Sequence, residues 1–314
     1  MPTSGPNWNP TIEYYDCRYA VLKEPLGFPR GAEILADDSI PIITGFQGIT
    51  ETGEVTTLGR GGSDTTAVAI AASIKANRCD IYTDVDGIYT TDPKIVPNAK
   101  KLDAISMEGM LELAGQGAKV IQIRAVEFAN KFKVPVRVLS SFSPGTGTMI
   151  TLENESMENA EISGIAFQKD QTKVTFTAVE DTPGIASKIL GPLSESDIKV
   201  DVIVQNVGIE GKTDFTFTIA TDEKDLLDEA IENIQKSINF REVIIDDAIA
   251  KVSIVGVGIR SHAGVAAKAF QALSENEINI VMISTSEIKL TLVIEKDDLE
   301  KAVKVLHDVF ELEK

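Results

Sequence analysis

The chain has 314 residues, of which 43% are hydrophobic and 25% charged, so it can bury a sizeable core in two or three domains. Its formal net charge of -18 at pH 7 opposes binding to nucleic acid or to an anionic membrane surface, and we expect neither as a partner. It does not exclude a small anionic substrate, because a local arginine can reverse the field.

Cysteine use and the first ten residues favour a cytoplasmic location. Cys17 and Cys79 are the only cysteines, which is typical of a reducing compartment rather than of a disulfide framework. The N-terminal sequence MPTSGPNWNP has neither the basic start nor the apolar core of a signal peptide. No apolar run approaches the roughly 18 residues that a membrane helix needs.

The first half of the sequence alternates predicted strands and helices. Residues 1 to about 35 are proline-rich and favour loop or extended structure. We predict a buried strand over 41–46, a hairpin over 48–58 that turns at Thr52 and Gly53, and a strand over 79–85. Further predictions are helices over 65–76, 106–114 and 120–132, and strands over 134–140 and 148–152. This alternation predicts an α/β layer with a mostly parallel sheet.

A glycine-rich turn, Gly59-Arg60-Gly61-Gly62-Ser63-Asp64, separates a short β run from an alanine-rich helix. Glycines permit positive φ and a close approach to a ligand, and the free N–H groups at a helix start favour an anion. Ser63 or Asp64 can cap the helix, and Arg60 can grip a carboxylate. The turn therefore predicts a seat for an acidic substrate beside a phosphate-bearing one. The alternative is an ordinary capped helix with Arg60 in solvent, since neither G-x-x-x-x-G-K-[ST] nor G-x-G-x-x-G is present.

An acidic loop follows the strand over 79–85 and contains Asp84, Asp86 and Asp92. Its spacing does not fit an EF-hand, but hard oxygen ligands can assist a Mg²⁺ that substrate phosphates mostly hold. Thr83, Tyr89 and Lys94 could equally line a nucleotide pocket. The alternative is a solvated loop with an Asp-Pro turn. Because the chain has only two histidines, a His-rich metal site or a Ser-His-Asp triad is hard to assemble.

The second half contains an internal repeat with an offset of about 80 residues. The composition turns acidic and polar over 153–161, where we place a domain boundary. Each unit then predicts a strand, a glycine turn, a helix, two strands and a helix, and a further strand over 242–246 makes the first unit βαββαβ. We expect the exposed sheet edges to pair between units or between chains. The glycine turns can hold the carboxylate of a small ligand at a helix start, or can simply connect two elements.

Long motifs resemble the aspartate kinase family. The segments GFQGITETGEVTTLGRGGSDTTAVAIAASIKA, YTDVDGIYTTDPKIVPNAKKLD and GAKVIQIRAVEFANKFKVPVRVLSSF resemble the C-terminal part of its catalytic domain. EDTPGIASKIL, DVIVQNV and SHAGVAAK resemble its paired ACT domains. The resemblance covers roughly residues 38 to 314. It implies an α/β, amino acid kinase-type, mostly parallel sheet that is partial here, followed by two α+β ferredoxin-like ACT domains. The implied division is an unmatched leader over 1–37, a kinase domain over 38–155, and ACT domains over 165–247 and 250–314.

The resemblance also implies chemistry for particular residues. The family transfers a phosphoryl group from ATP, with Mg²⁺, to the side-chain carboxylate of L-aspartate, on the route to lysine, threonine and methionine. The implied aspartate-binding and catalytic residues are Arg60 and Asp64, with Gly61, Gly62 and Ser63 completing the turn. The implied ATP contacts are Thr83, Asp84, Tyr89, Lys94, Lys119 and Val120. The implied contacts for lysine, threonine or both as effectors are Asp181, Gly184, Ala186, Asp201, Gln205, Val265, Ala266, Asn279 and Ile280.

One departure from the family lowers the expected activity. The family's strand and Lys-x-Gly-Gly turn, which hold the phosphates, have no match in residues 1 to 37. We expect the catalytic domain to be incomplete at its N-terminus and turnover by this chain to be weak or absent, because that lysine supplies a large electrostatic contribution. The alternative is a non-catalytic regulatory chain that senses lysine or threonine and associates with a full-length kinase. We also expect a dimer formed through the ACT units.

Overall fold

The structure is a computed structural model, and it describes residues 12–15, 19–22, 42–49, 54–118, 120–152, 162–206, 208, 211–261 and 264–314. The described residues fall into a mixed α/β half up to residue 152 and a half built on one antiparallel sheet from residue 162. No helix in these ranges is both long enough and apolar enough to cross a membrane.

The first half contains eight strands and three helices in its described residues. The strands are β1 Ile12–Tyr15, β2 Tyr19–Leu22, β3 Gln47–Ile49, β4 Val55–Thr57, β5 Cys79–Thr83, β6 Ala104–Ser106, β7 Val136–Ser140 and β8 Thr148–Thr151. The helices are α1 Gly62–Ser73, α2 Met107–Gly115 and α3 Ile123–Phe132. Four strands form a sheet in the order β5-β7-β8-β6, with β5–β7 and β6–β8 parallel and β7–β8 antiparallel. Buried aliphatic side chains of α1, α2 and α3 pack on this sheet in one core.

The predicted hairpin is confirmed, since β3 and β4 pair antiparallel, although its turn at Thr52 and Gly53 lies outside the described residues. The predicted buried strand over 41–46 is wrong. Residues 42–45 form no regular element, and the side chain of Ile42 is 97% exposed. The apolar run resembles a buried strand, but no neighbouring strand pairs with it among the described residues. Pattern alone also missed β6, which has only three residues.

In its described residues, the second half contains six strands in a single sheet of order β10-β11-β9-β12-β14-β13. These strands are β9 Gly164–Glu180, β10 Ile203–Gln205, β11 Lys212–Ala220, β12 Val243–Val255, β13 Ile280–Thr285 and β14 Lys289–Glu295. The helices are α4 Ile185–Glu195, α5 Leu227–Gln235, α6 Gly258–Ser261, α7 Val265–Glu275 and α8 Leu299–Val309, with 3₁₀ turns at Thr221–Leu226 and Lys296–Asp298. The predicted repeat is visible in this order, with one pair of long helices for each unit.

The two repeat units share the long strands β9 and β12. Residues 171–176 of β9 pair with β11 and with 243–249 of β12, which completes the sheet of the first unit. Residues 164–168 of β9 pair instead with 251–255 of β12, which also pairs with β14. The register shifts between these two stretches, so each strand bends as it passes from one unit to the other. The second unit therefore takes a strand from residues that precede the first unit.

Candidate active site

Two glycines give the turn before α1 its shape. Gly59 and Gly61 both have φ of 72°, a left-handed conformation that strongly favours glycine. A Cβ at position 61 would lie 2.5 Å from Cβ of Gln122, so the space is closed as well. Gly61 is the N-cap of α1 and no side chain caps the helix. The prediction that Ser63 or Asp64 caps α1 is therefore wrong: the helix begins earlier than predicted, and both residues lie inside its first turn.

The start of α3 holds the turn through backbone carbonyls. Gln122 Nε2 donates to the carbonyl oxygen of Arg60 at 2.9 Å. Arg124 Nη2 donates to the carbonyls of Leu58 at 2.8 Å and of Arg60 at 3.1 Å. The backbone N–H of Gln122 donates to Asp64 Oδ2 at 3.4 Å. Three of these hydrogen bonds thus fix the main-chain carbonyls of Leu58 and Arg60, and the fourth holds the side chain of Asp64. Sequence reasoning missed Gln122 and Arg124, although they follow closely on the predicted GAKV segment.

The charges at this turn remain available to a ligand. The Arg60 side chain is exposed, and no carboxylate among the described residues forms an ion pair with it. Asp64 is half-buried, and its burial raises the pKa of its carboxyl group, although the hydrogen bond from the N–H of Gln122 opposes this shift. Ser63 is exposed, and Gly62 is buried against Leu58 and Phe46. The turn therefore presents an exposed cation beside an anchored carboxylate.

The acidic loop after β5 is stabilised by its own side chains. Thr83 Oγ1 donates to Asp84 Oδ1 at 3.0 Å at the carboxyl end of the strand. Tyr89 donates its phenolic hydrogen to Asp86 Oδ1 at 2.9 Å, and Lys101 Nζ lies 3.3 Å from Asp86 Oδ2. Burial by itself raises the pKa of Asp86, but the hydroxyl of Tyr89 and the ammonium of Lys101 outweigh it and hold that pKa below its usual value. Asp86 is therefore engaged within the loop.

The remaining predicted nucleotide contacts are more exposed. Asp84 and Lys94 are exposed, and the backbone N–H of Lys94 donates to Asp92 Oδ1 at 2.9 Å. Val120 is half-buried, whereas Lys119 lies outside the described residues. Within the described ranges, no group of three or more His, Cys, Asp or Glu side chains could hold a metal ion. A Mg²⁺ at this loop would need phosphate oxygens for most of its ligands.

The turn and the loop lie towards the same edge of the sheet. β5 and β7 run parallel and end side by side at Thr83 and Ser140, and the N–H of Ser141 donates to the carbonyl of Thr83. α3 is followed by β7 after only three residues, so the helix runs back along the strand and its first residue, next to Gln122, lies towards that edge. Ligand sites in open α/β sheets lie at such carboxyl ends. No hydrogen bond or ion pair directly joins the two groups among the described residues.

In the first repeat unit, the predicted effector residues converge on one turn. Gly184 has φ of 92° and is the N-cap of α4, and Ala186 lies half-buried in the first turn of that helix. Asp181 is exposed, and its N–H donates to the carbonyl of Gly211 at 2.9 Å. Gln205 Nε2, from β10, donates to Asp181 Oδ1 at 3.4 Å. Four of the five predicted residues therefore lie at this turn, and Asp181 and Gln205 are in direct contact.

Asp201 has a partner that sequence reasoning did not anticipate. Its carboxylate forms an ion pair with the ammonium of Lys251, whose side chain is only 2% exposed, whereas the side chain of Asp201 is 41% exposed. Burial lowers the pKa of Lys251, and the charge of Asp201 opposes that shift. Lys251 lies on β12 within the second unit, so the ion pair links the two repeat units.

The second unit offers a different environment. Gly264, the N-cap of α7, has φ of -97° and needs no glycine for its conformation, unlike Gly184. Val265 is buried in the core of this unit, and Ala266 and Ile280 pack partly buried against the same core. Asn279 is exposed. The turns before α4 and α7 therefore differ in backbone conformation and in the burial of the predicted effector residues.

Comparisons with known proteins extend over both halves. Residues 26–140 match the amino acid kinase family, and residues 252–310 match the ACT domain family. An aspartate kinase of Pseudomonas fluorescens is 59% identical over 275 residues, which are 87% of this chain and 67% of that protein. The first match begins twelve residues before residue 38.

Solved structures give the same result. The crystal structure of Clostridium acetobutylicum aspartate kinase superposes with a TM-score of 0.81 at 30% identity, covering 92% of this chain and 67% of that one. Escherichia coli aspartokinase III superposes with a TM-score of 0.74 in its complex with aspartate and ADP, at 31% identity, covering 90% of this chain and 62% of that one. Its complex with lysine and aspartate gives a TM-score of 0.70, at the same identity and over 88% and 62% of the two chains. This chain belongs to the aspartate kinase family.

Proposed function

We propose that this chain acts in the phosphorylation of L-aspartate on its side-chain carboxylate by ATP and Mg²⁺, under feedback control by lysine, threonine or both. The observation that carries the proposal is the turn at Arg60. Its main-chain carbonyls accept three hydrogen bonds from Gln122 and Arg124, while its guanidinium is exposed without an ion-pair partner among the described residues. A fixed backbone with an unpaired cation is suited to binding a carboxylate.

Arg60 would hold a carboxylate of aspartate, and Asp64 would face its ammonium group. This assignment is supported by the half-buried position of Asp64 and by its bond to the N–H of Gln122, which fixes the orientation of the carboxyl group. ATP would supply the phosphoryl group. Thr83, Asp84, Tyr89, Lys94, Lys119 and Val120 would bind the nucleotide. The attacking carboxylate is already ionised at neutral pH, so positioning and charge neutralisation suffice and no histidine base is needed.

The level of activity is a separate question. No Lys-x-Gly-Gly tetrapeptide occurs in the 314 residues, so we expect aspartate-dependent ADP release by this chain to be weak. A coupled ADP-release assay with Mg-ATP and L-aspartate tests this expectation directly. Turnover at the rate typical of the complete enzymes would contradict it.

Calorimetric titration with L-aspartate tests the role of Arg60 independently of turnover. We expect R60A to weaken aspartate binding by at least about tenfold, since a charge-assisted hydrogen-bonded pair is lost. R78A is a matched control, because Arg78 is also an exposed arginine of this half but its guanidinium pairs with Asp80. Equal affinities in R60A and the parent protein would reject the assignment, as would an absence of aspartate binding by the parent.

The ACT units are proposed to bind the effectors through the turn that joins Asp181 and Gln205 and through Asp201. The acidic side chains there suit the ammonium group of an amino acid, and the free N–H groups at the start of α4 suit its carboxylate. Titration with lysine, with threonine and with both together would identify the effector. Binding unaltered by Q205A would exclude this turn.

A dimer through the ACT sheet is proposed as well. β10 and β13 are the two ends of the six-stranded sheet, and each carries an isoleucine that is 46% exposed, at Ile203 and Ile283. Unpaired strand edges with apolar side chains favour pairing with a second chain. Light scattering at micromolar concentration should give the mass of a dimer, and a monomer alone would contradict this arrangement.

The second candidate function is a regulatory chain that senses lysine or threonine and associates with a full-length kinase. It is favoured by the complete six-stranded ACT sheet, whereas the fixed turn at Arg60 favours catalysis. Aspartate binding that depends on Arg60 would support the first function. Effector binding without any aspartate binding would support the second.

A further inference from the structure

Thr90 is a buried residue whose carbonyl and hydroxyl groups bind across the junction between the two halves of the molecule. Its N–H donates to the carbonyl of Lys100 at 2.9 Å, and its Oγ1 accepts from the N–H of Lys100 at 3.0 Å. Its carbonyl accepts from the N–H of Ile165, on β9, at 2.6 Å. Its Oγ1 also lies 3.1 Å from Nε2 of His307, on α8. One residue of the acidic loop is thus bonded to a strand and a helix of the second half, which carries the ACT units and is called the regulatory half; the first half is called the catalytic half.

Thr90 is tightly packed against the residues that it contacts in the second half. Thr90 is 4% exposed and His307 is completely buried. Gly164, at the start of β9, lies so near that a Cβ there would come within 2.7 Å of the Thr90 carbonyl oxygen. A contact this tight cannot adjust freely, so a shift of β9 or α8 must move Thr90 or break its bonds.

The hydroxyl of Thr90 has one hydrogen to donate, and Nε2 of His307 is the group in reach. Because Lys100 already donates its N–H to Oγ1, the arrangement that satisfies most groups has Oγ1 donating to an unprotonated Nε2. Nδ1 of His307 then carries the ring hydrogen and is buried with no partner in the part of the chain that the structure describes. The neutral imidazole is the form that this junction accommodates.

We propose that His307 is a positioning residue for the acidic loop, the proposed nucleotide-binding loop, and that it acts by holding Thr90, the residue next to Tyr89. The inference rests on the proposed nucleotide-binding role of this loop. α8 belongs to the second ACT unit, so the bond makes the position of the loop depend on the regulatory half. The other polar contacts of Tyr89 run within the loop and to Lys101, while its ring packs against the core of the second ACT unit.

The test is amide hydrogen exchange in the full chain, read at residues 88–100. H307L removes the acceptor and fills the buried space with an apolar side chain, and we expect exchange in this segment to become about tenfold faster, in line with the loss of one buried hydrogen bond. H307Q places an amide oxygen near the position of Nε2, and we expect it to restore most of the protection. T90V removes the hydroxyl from the other side and should reproduce H307L, which keeps the test open if H307L does not fold.

S253A is the matched control. Ser253, on β12, donates to Oε1 of Gln116 at 2.9 Å and is equally buried, so it also joins the regulatory sheet to the catalytic half, but it does not contact the loop. We expect S253A to lower global stability and to leave exchange at 88–100 unchanged relative to its own global unfolding. Equal acceleration in S253A and H307L, or none in H307L, would overturn the inference.

Calorimetry with Mg-ADP connects the loop to its ligand. We expect H307L to weaken Mg-ADP binding about tenfold and L-aspartate binding by less than about twofold, with H307Q close to the parent. If the parent chain binds no nucleotide, the proposed function fails, while the exchange measurements still decide whether His307 positions the loop. If nucleotide binds and H307L changes neither affinity nor exchange, the positioning role is wrong.

Discussion

The ion pair between Lys251 and Asp201 gives a prediction with an asymmetric outcome. The lysine is buried and the aspartate is half-exposed, so removing either partner has a different cost. In D201N, the ammonium of Lys251 keeps its burial and loses its counter-charge. In K251M, the buried charge itself disappears and an apolar side chain of similar volume replaces it. We therefore expect D201N to be the more destabilising substitution.

The magnitude follows from burial. Removing one partner of a fully buried ion pair costs about 3–5 kcal/mol, whereas replacing the buried charge by a well-packed apolar group is close to neutral. Because water reaches Asp201, we place the cost below this range and expect D201N to cost about 2 kcal/mol in the free energy of unfolding and K251M less than about 1 kcal/mol. A loss of about 2 kcal/mol corresponds to a fall of about 4–8 °C in Tm.

Urea unfolding of D201N, K251M and the double variant measures these values directly. In the double variant, the cost of D201N should largely vanish, since no buried charge remains. Burial lowers the pKa of Lys251 in the folded state, so the folded protein releases this proton before the unfolded chain does. Stability of D201N should consequently recover as pH rises towards 10. Equal losses in D201N and K251M, or no recovery in the double variant, would refute the reasoning.

Other substitutions and a labelling experiment test separate parts of the fold. G61A should cost about 1–3 kcal/mol in urea unfolding, because φ is 72° and Gln122 fills the space. G191A should cost less than about 1 kcal/mol, because its Cβ would meet only its chain neighbour Pro192, which offsets the gain in helix propensity. Burial lowers the pKa of His307 against the opposing charges of Asp308 and Glu313, so the unfolded chain takes up a proton near pH 6.5 that the folded chain does not. The parent should thus lose stability relative to H307Q between pH 7 and pH 5.5, and a constant difference would contradict this. Burial, with the charges of Asp80 and Asp64, raises the pKa of Cys79 to about 11. Alkylation of Cys79 by iodoacetamide at pH 8, measured by peptide mass spectrometry, should therefore proceed at the rate of unfolding.

Sequence patterns predicted most of the regular elements of the catalytic half because hydrophobic periodicity fixes which stretches are buried. The strands over 79–83 and 136–140 and the three helices fall within a few residues of the predicted positions. The predicted strand over 41–46 failed because an apolar run shows only that burial is favourable. It does not show that a neighbouring strand is present to pair with it, and Ile42 is exposed.

The contacts at the candidate sites were beyond local patterns. Gln122 and Arg124 lie about 60 residues from the turn that they hold, and the pairs Lys251–Asp201 and Thr90–His307 span 50 and 217 residues. No periodicity identifies such partners, because each depends on how separate elements pack. A buried lysine in a strand pattern and a histidine on the apolar face of a helix were the only local hints of them.

The sharing of β9 and β12 between the two ACT units bears on how an effector signal can travel. β9 begins at Gly164 against Thr90, passes through the sheet of the second unit, bends, and ends at Glu180, next to the turn of Asp181 in the first unit. A ligand that moved this turn would pull on a continuous strand whose far end is bonded to the acidic loop.

The bend near residues 169–171 is the place where the strand can absorb such motion without transmitting it. Transmission therefore requires that the bend be stiff, and the side chain of Gln171 is buried there, at 7% exposure. A substitution that loosens the bend, such as Q171G, should leave effector binding intact while weakening its effect on nucleotide affinity, and an unchanged coupling between the two ligands would exclude this route.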